Sequence, residues 1–177
     1  MKATNTLYDA IVYQLQRLRY TEAKVRNELI GCRMGAGSSL VMSELEKYAA
    51  DADSKLLKLE RAFNYLMKEP ENGKNGVIDK LFIESHELLD SVESQGLKDI
   101  LLICCLQQIT AYKMSTYKTA YILAIEMDLD NVADLLHQIL EWERETARAL
   151  NAISTTGFNK VIKGDEFAVK NARHAQP

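Results

Sequence analysis

The chain has 177 residues, 47% hydrophobic and 27% charged, which suffices for one domain with a single core and is too apolar for a disordered chain. A formal net charge of −3 and a pI of about 5.7 exclude the long-range positive field that draws phosphate backbones or acidic lipid, so neither nucleic acid nor a membrane is an expected partner. Only two prolines and eight glycines interrupt the chain, with Pro70 in a loop segment and Pro177 at the end, and this favours an all-α protein.

The first helical pattern runs through Tyr8, Ile11, Leu15, Leu18, Glu22, Val25 and Leu29 at alternating spacings of three and four, so all seven lie on one face and one of them is an acid. "GAG" at 35–37 breaks the pattern, and Ser38 or Ser39 can cap the next helix. The second stripe reads Met42, Leu45, Ala49, Ala52, Leu56, Leu59, Phe63 and Leu66, with a small-residue centre flanked by Asp51 and Asp53. "KEPENGKNG" ends it with proline and glycine. Residues 77–92 then repeat a helical period through Ile78, Leu81, Phe82, Leu88, Leu89 and Val92, predicting a short helix inside a crossover.

A third long helix is expected over about 97–127, and its face is ambiguous. One row contains Ile103, Leu106, Thr110, Lys113, Tyr117, Ala120 and Ala124. Another contains Leu97, Leu101, Cys104, Gln108, Ala111, Ser115 and Ile122 and would leave Lys113 outside. The fourth long helix carries Val132, Leu136, Ile139, Glu143, Thr146, Leu150 and Ile153 on one face, again with an acid at mid-stripe.

Residues 1–155 read as the helical domain. Residues 156–177 read as a tail, loose or docked through Phe158, Val161 and Phe167. The first twenty residues lack the apolar core of a signal peptide, "ILLICCL" is too short to span a bilayer, and Cys32, Cys104 and Cys105 have no metal-ligand spacing; together these predict a reduced, cytoplasmic protein.

Four long amphipathic helices with one long connection, between the second and third, predict a four-helix bundle of the ferritin-like kind with an extra short helix in that crossover. Glu22, Asp51 with Asp53, the stretch from Thr110 to Lys113, and Glu143 each lie near the middle of their own helix. In aligned helices such midpoints meet in one layer, since three residues of offset displace a side chain by only about one turn. Bundles of this type build di-iron or di-manganese sites at that height from glutamates and Glu-x-x-His pairs. The histidine positions do not fit: His86 falls in the crossover helix, His137 nearly two turns before Glu143, and His174 in the tail.

Over about residues 6–155 the chain resembles the YciE/YciF-like ferritin-like family, domain of unknown function 892. The likeness rests on "LKDILLICCLQQITAYKMSTYKTA" and "ADLLHQILEWERETARAL", with support from "KLERAF" and "GVIDKLFIESHELLDSV". The resemblance implies a third helix reading Glu-His-Tyr-Glu with a tyrosine four positions on. Here the tyrosines stand as Tyr112 and Tyr117, while the other three positions hold Thr110, Ala111 and Lys113. By the same likeness "RYTE" places Glu22 at a family carboxylate position, and "EWER" keeps Glu143 but replaces the next acid by Ala147. On the second helix the corresponding positions fall across Ala50 to Lys55, leaving Asp51 or Asp53 as the acid.

The resemblance therefore implies a degenerate metal site, with a vestigial polar layer of Glu22, Asp51, Asp53, Thr110, Lys113 and Glu143 in which the Lys113 ammonium replaces a cation. Lys113 snorkelling outward, and Glu22 and Glu143 reaching solvent from the stripe edge, are the competing readings. Trp142, Tyr112, Tyr117 and Tyr121 read as packing residues rather than a redox chain. No nucleophile–base–acid set and no phosphate loop is present; "MGAGSS" lacks the lysine and the preceding strand.

The expected function is that of a metal-free, stress-associated bundle and homodimer acting by binding or assembly, with no cofactor. One alternative is an oxidase or ferroxidase holding iron or manganese on the residual carboxylates. Another is a small-molecule cavity opened by the alanines at 49, 50 and 52.

Overall fold

A computed structural model describes residues 5–71 and 73–174, with side chains throughout except at 31–34 and 157–174. The described residues form five α-helices: α1 (Leu7–Gly35), α2 (Ser39–Tyr65), α3 (Gly76–Asp90), α4 (Gln95–Glu126) and α5 (Asp130–His174). α1 with α2 and α4 with α5 are the most extensively packed pairs, and α3 lies in the crossover against α4 and α1. This is the four-helix bundle with a crossover helix that the hydrophobic periods predict.

Local chemistry sets the ends of the elements. Thr6 and Asp9 form a capping box at the start of α1. The Asp9 amide donates to Thr6 Oγ1 at 3.0 Å and the Thr6 amide to Asp9 Oδ2 at 3.1 Å, so two otherwise unpaired donors are satisfied. Ser38 is the N-cap of α2, but its side chain makes no capping bond. The anion at that turn comes instead from α4, where buried Asp99 accepts from the Gly37 amide at 2.9 Å and the Ser38 amide at 2.7 Å. That contact ties the α1–α2 turn to the start of α4. α2 and α4 both end on a left-handed residue, Met67 (φ 49°) and Asp128 (φ 54°). In each case the following amide reaches back across the last turn, Lys68 to Phe63 at 3.0 Å and Leu129 to Ala124 at 2.9 Å.

The crossover is fastened by buried Asn75. Its amide nitrogen donates to Thr21 Oγ1 at 2.9 Å and to Tyr112 Oη at 2.8 Å, and its carbonyl oxygen accepts from Arg17 at 3.1 Å. Just before it, Gly73 lies so close to α1 that a Cβ there would meet the Gln16 carbonyl oxygen at 2.8 Å.

The faces of α1 and α5 are as expected: from Ile11 to Leu29 and from Val132 to Leu150 every named stripe residue is buried, while Tyr8 and Ile153 are half-buried at the ends. On α4 the row through Thr110, Lys113 and Tyr117 is the buried one; Gln108, Ala111, Ser115 and Ile122 of the competing row are exposed. On α2 the expected stripe holds at Leu45, Ala52, Leu59, Phe63 and Leu66 and is corrected at its other three positions, where the preceding residue is the buried one. Val41, Tyr48 and Lys55 are buried, whereas Met42 is exposed and Ala49 and Leu56 are half-buried.

α5 continues in helix to His174, past the expected boundary at 155. The docking expected of Phe158, Val161 and Phe167 lies outside the described residues. Cys105 is buried and Cys104 half-buried as free thiols, and burial pushes the Cys104 thiol above its ordinary range. No helix among the described residues is long and apolar enough to cross a membrane.

A charged layer at the centre of the bundle

The apolar core is divided in two. One cluster contains Ile11, Leu15, Leu18, Leu59, Phe63, Leu136 and Ile139; the other contains Val25, Leu29, Leu45, Ile78, Leu102, Leu106 and Leu150. Between them each long helix contributes a polar residue with no exposed surface: Glu22 from α1, Lys55 from α2, Thr110 and Lys113 from α4, and Glu143 from α5.

The helical repeat puts them there. Thr110, Lys113 and Tyr117 follow one another at i, i+3 and i+7 on the inner face of α4, and Tyr48, Ala52 and Lys55 do the same at i, i+4 and i+7 on α2. Ala52, fully buried between them, supplies little side-chain bulk, which leaves space for two long ammonium side chains in the same layer.

The contacts form one connected group. Lys113 Nζ lies 2.8 Å from Glu143 Oε1 and 3.0 Å from Glu22 Oε2, bridging α4 to α5 and α1. Lys55 Nζ lies 2.6 Å from the same Glu143 Oε1. Tyr117 donates to Glu22 Oε1 at 2.8 Å. Lys113 also donates to Tyr48 Oη at 3.3 Å, and Tyr48 in turn shares a hydrogen bond of 2.8 Å with Thr110 Oγ1. Both ammonium groups stand over the Tyr48 ring, Lys113 at 4.7 Å and Lys55 at 5.3 Å from its centroid, so the aromatic ring adds cation–π attraction to that of the carboxylates. The ammonium–carboxylate contacts, all within 2.6–3.0 Å and fully buried, hold the group together chiefly by charge attraction reinforced by hydrogen bonding.

The two carboxylates are not equivalent. Burial opposes ionisation of Glu143, but the Lys113 and Lys55 ammoniums beside it outweigh that and hold its carboxyl below the usual range. Glu22 has one ammonium in contact; burial, with the nearby Glu143 charge, pushes its carboxyl up. Burial also works against the charge on Lys113, yet Glu143 and Glu22 together keep its ammonium well above the ordinary lysine range. Burial first, and then the adjacent carboxylates, push the Tyr117 phenol well up. Tyr48 is pushed up by burial and by the same carboxylates, against the pull of Lys113.

Among the residues expected in this layer, Glu22, Thr110, Lys113 and Glu143 meet at the centre. Asp51 and Asp53 do not. Asp53 is exposed and pairs with Arg26 at 2.9 Å, and Asp51 is half-buried. The charged member from α2 is Lys55, four residues beyond Asp51 and of opposite sign. Tyr112, the other family-position tyrosine, faces the crossover, where its hydroxyl meets Arg17 and Asn75. Trp142 is half-buried beneath the Lys58 ammonium, 4.8 Å from the ring centroid, as a packing residue. The donor set is thus two carboxylates, a threonine hydroxyl and two phenols, with two fixed ammoniums among them. Among the described residues no three His, Cys, Asp or Glu side chains are grouped to hold a metal ion.

Fold and centre together define an all-helical bundle with a crossover helix, of ferritin-like architecture. The family profile named domain of unknown function DUF892 matches residues 6–163, and the chain belongs to that family. Protein YciF of Escherichia coli (strain K12) is 29% identical to it over 83 residues, which are 47% of this chain and 50% of YciF; the chain spans about half the length of the curated relative it matches. The crystal structure of the E. coli stress protein YciF superposes with a TM-score of 0.85 at 19% identity, covering 89% of this chain and 99% of that one. YcfI of Rhodopseudomonas palustris, provisionally described as a structural protein, superposes with a TM-score of 0.82 at 20% identity over 85% and 96% of the two chains.

Proposed function

We propose that this chain is a metal-free, cytoplasmic ferritin-like bundle that serves a stress-associated role by binding or assembly, as a homodimer, rather than by di-iron chemistry. One observation carries the reading: the Lys113 and Lys55 ammoniums stand 2.6–3.0 Å from the carboxylates that a metal ion would need. A di-metal cluster needs several oxygen and nitrogen donors facing open space, whereas here the charge of Glu22 and Glu143 is answered by two cations covalently part of the helices. The residues present do not fit the cluster.

The stress association follows the description of the E. coli relative. Assembly is supported by large apolar side chains left in water at the end of the bundle where α1 starts and α2 and α4 finish: Leu7, Tyr65, Met67, Ile122 and Ile125 are all about half exposed or more. Protein purified from cells supplemented with iron and manganese tests the reading by elemental analysis. Far less than one transition-metal ion per chain is expected, and about two per chain would overturn it. Sedimentation equilibrium should give twice the chain mass; a monomer at all concentrations would remove the homodimer.

A further inference from the structure

We infer that the cavity at the end of the bundle where α2 and α4 start, closed on its third side by α5, binds a small neutral molecule that carries an apolar body and one hydroxyl. The cavity measures about 230 Å³, and its walls are mostly branched aliphatic: Val41 from α2, Ile100 and Ile103 from α4, and Ile153 from α5. Ile103 is fully buried, whereas Leu40 and Thr156 are exposed at the rim. Apolar cavities of about 150 Å³ hold benzene, so this one has room for an aromatic ring with a short substituent. It is separate from the charged layer, since Ile103 precedes Thr110 by two turns of α4, about 10 Å along the axis.

The polar part of the lining decides what else the ligand carries. Buried Asp99 is answered by N–H donors rather than by a cation: the Gly37 and Ser38 amides and, at 3.0 Å, the Gln95 side-chain amide, beside the positive poles at the starts of α2 and α4. A cationic ligand therefore gains little from Asp99, an anionic one is repelled by it, and either loses its water on entering isoleucine-lined walls. A hydroxyl avoids these costs. Asp99 Oδ2 accepts one hydrogen bond, from the Ser38 amide at 2.7 Å, and a carboxylate oxygen has room for a second. Ser154 and Thr156 already donate to carbonyls of the preceding turn of α5, but the Ser38 hydroxyl lines the cavity and makes no capping bond. The ligand hydroxyl donates to Asp99 and accepts from Ser38, while its apolar body lies against the three isoleucines.

The test is an amide-resolved NMR titration of the full chain with four probes of one size and different ends: benzyl alcohol, benzylammonium chloride, sodium benzoate and toluene. Benzyl alcohol should give saturable shifts concentrated on the amides of Gly37, Ser38, Gly96 and Ile100, and both ions should bind at least about tenfold more weakly. No saturable shift there with benzyl alcohol, or an equal affinity for either ion, overturns the inference. Ile153→Phe, at a half-buried wall position, fills the cavity and should abolish binding; a folded variant that binds as the wild type does would refute the location. Ser38→Ala should weaken benzyl alcohol about fivefold and leave toluene unchanged. An unchanged affinity for benzyl alcohol would refute the hydroxyl's role, and this variant decides if Ile153→Phe does not fold.

Discussion

At the scale of single residues, Lys113 is the side chain on which the centre depends most. Replacing it with methionine keeps the length but leaves Glu22 with no cation in contact and Glu143 with one, a loss of about 3–5 kcal/mol by analogy with other broken buried ion pairs. Lys55→Met should cost less, since Lys113 still bridges both acids. Urea denaturation of the two variants measures the difference, and equal losses would contradict the asymmetry. The acids should differ too. Glu143→Gln removes the carboxylate shared by two ammoniums, while Glu22→Gln replaces one whose charge burial already disfavours, so Glu143→Gln should be clearly the more destabilising. Met67 offers a separate check: its left-handed φ of 49° is reached by a fully exposed side chain, and Met67→Gly should stabilise by about 0.5–1 kcal/mol.

These residues also show what the sequence could tell. Glu22, Lys113 and Glu143 were legible because each interrupts an otherwise apolar stripe on its own helix. The period does not single out Lys55, because on α2 two stripes that share Leu45, Ala52 and Leu59 both keep spacings of three and four. One carries Leu56, the other Lys55, and hydrophobicity alone prefers the leucine. Tyr48, a better core residue than Ala49, was the signal for the correct register, and Lys55 itself lay at the edge of the span Ala50 to Lys55 that the family likeness marked. Asp51 and Asp53 carry the sign that a metal ligand needs, yet a layer already holding two glutamates gains from a cation and not from a third acid.

At the scale of elements, the hydrophobic period fixed the existence and order of the helices, and the sequence contained no comparable cue for the long-range caps. Asp99 capping the α1–α2 turn and Asn75 joining α1, the crossover and α4 are pairings between residues far apart in the chain. Asn75→Ala would leave the Arg17, Thr21 and Tyr112 contacts without their common partner, at a cost of about 1–3 kcal/mol. Hydrogen exchange should show faster opening in α3 and the loop before it, with the α4–α5 pair unchanged. Gly73→Ala should loosen the same loop, because the added methyl meets the α1 backbone rather than a flexible side chain.

For the whole molecule, the ionisations of the centre set the pH limits of the fold. Lys113, Tyr48 and Tyr117 all hold their protons more tightly when folded than at their usual values of 10.5, 10.0 and 10.0. Above about pH 10 the unfolded chain therefore releases protons that the folded chain keeps, and the stability these groups contribute below that pH is lost as pH rises. On the acid side the two glutamates oppose each other. The contribution of Glu143 is present above its usual value of 4.5 and is lost as pH falls through its lower folded value; that of Glu22 is largest below 4.5 and fades as pH rises through its higher folded value. Chemical denaturation across pH should show Glu22→Gln flattening the mildly acidic slope and Lys113→Met weakening the alkaline loss. An unchanged profile in both variants would mean that the centre does not govern the response.

The most direct measurement is a crystal structure of protein from iron- and manganese-supplemented cells, with anomalous maps at both absorption edges. The account predicts no anomalous peak between the four long helices, with Lys113 Nζ lying between Glu22 and Glu143 and Lys55 Nζ against Glu143. Two strong peaks bridging Glu22 and Glu143, with both lysines turned away from them, would contradict it.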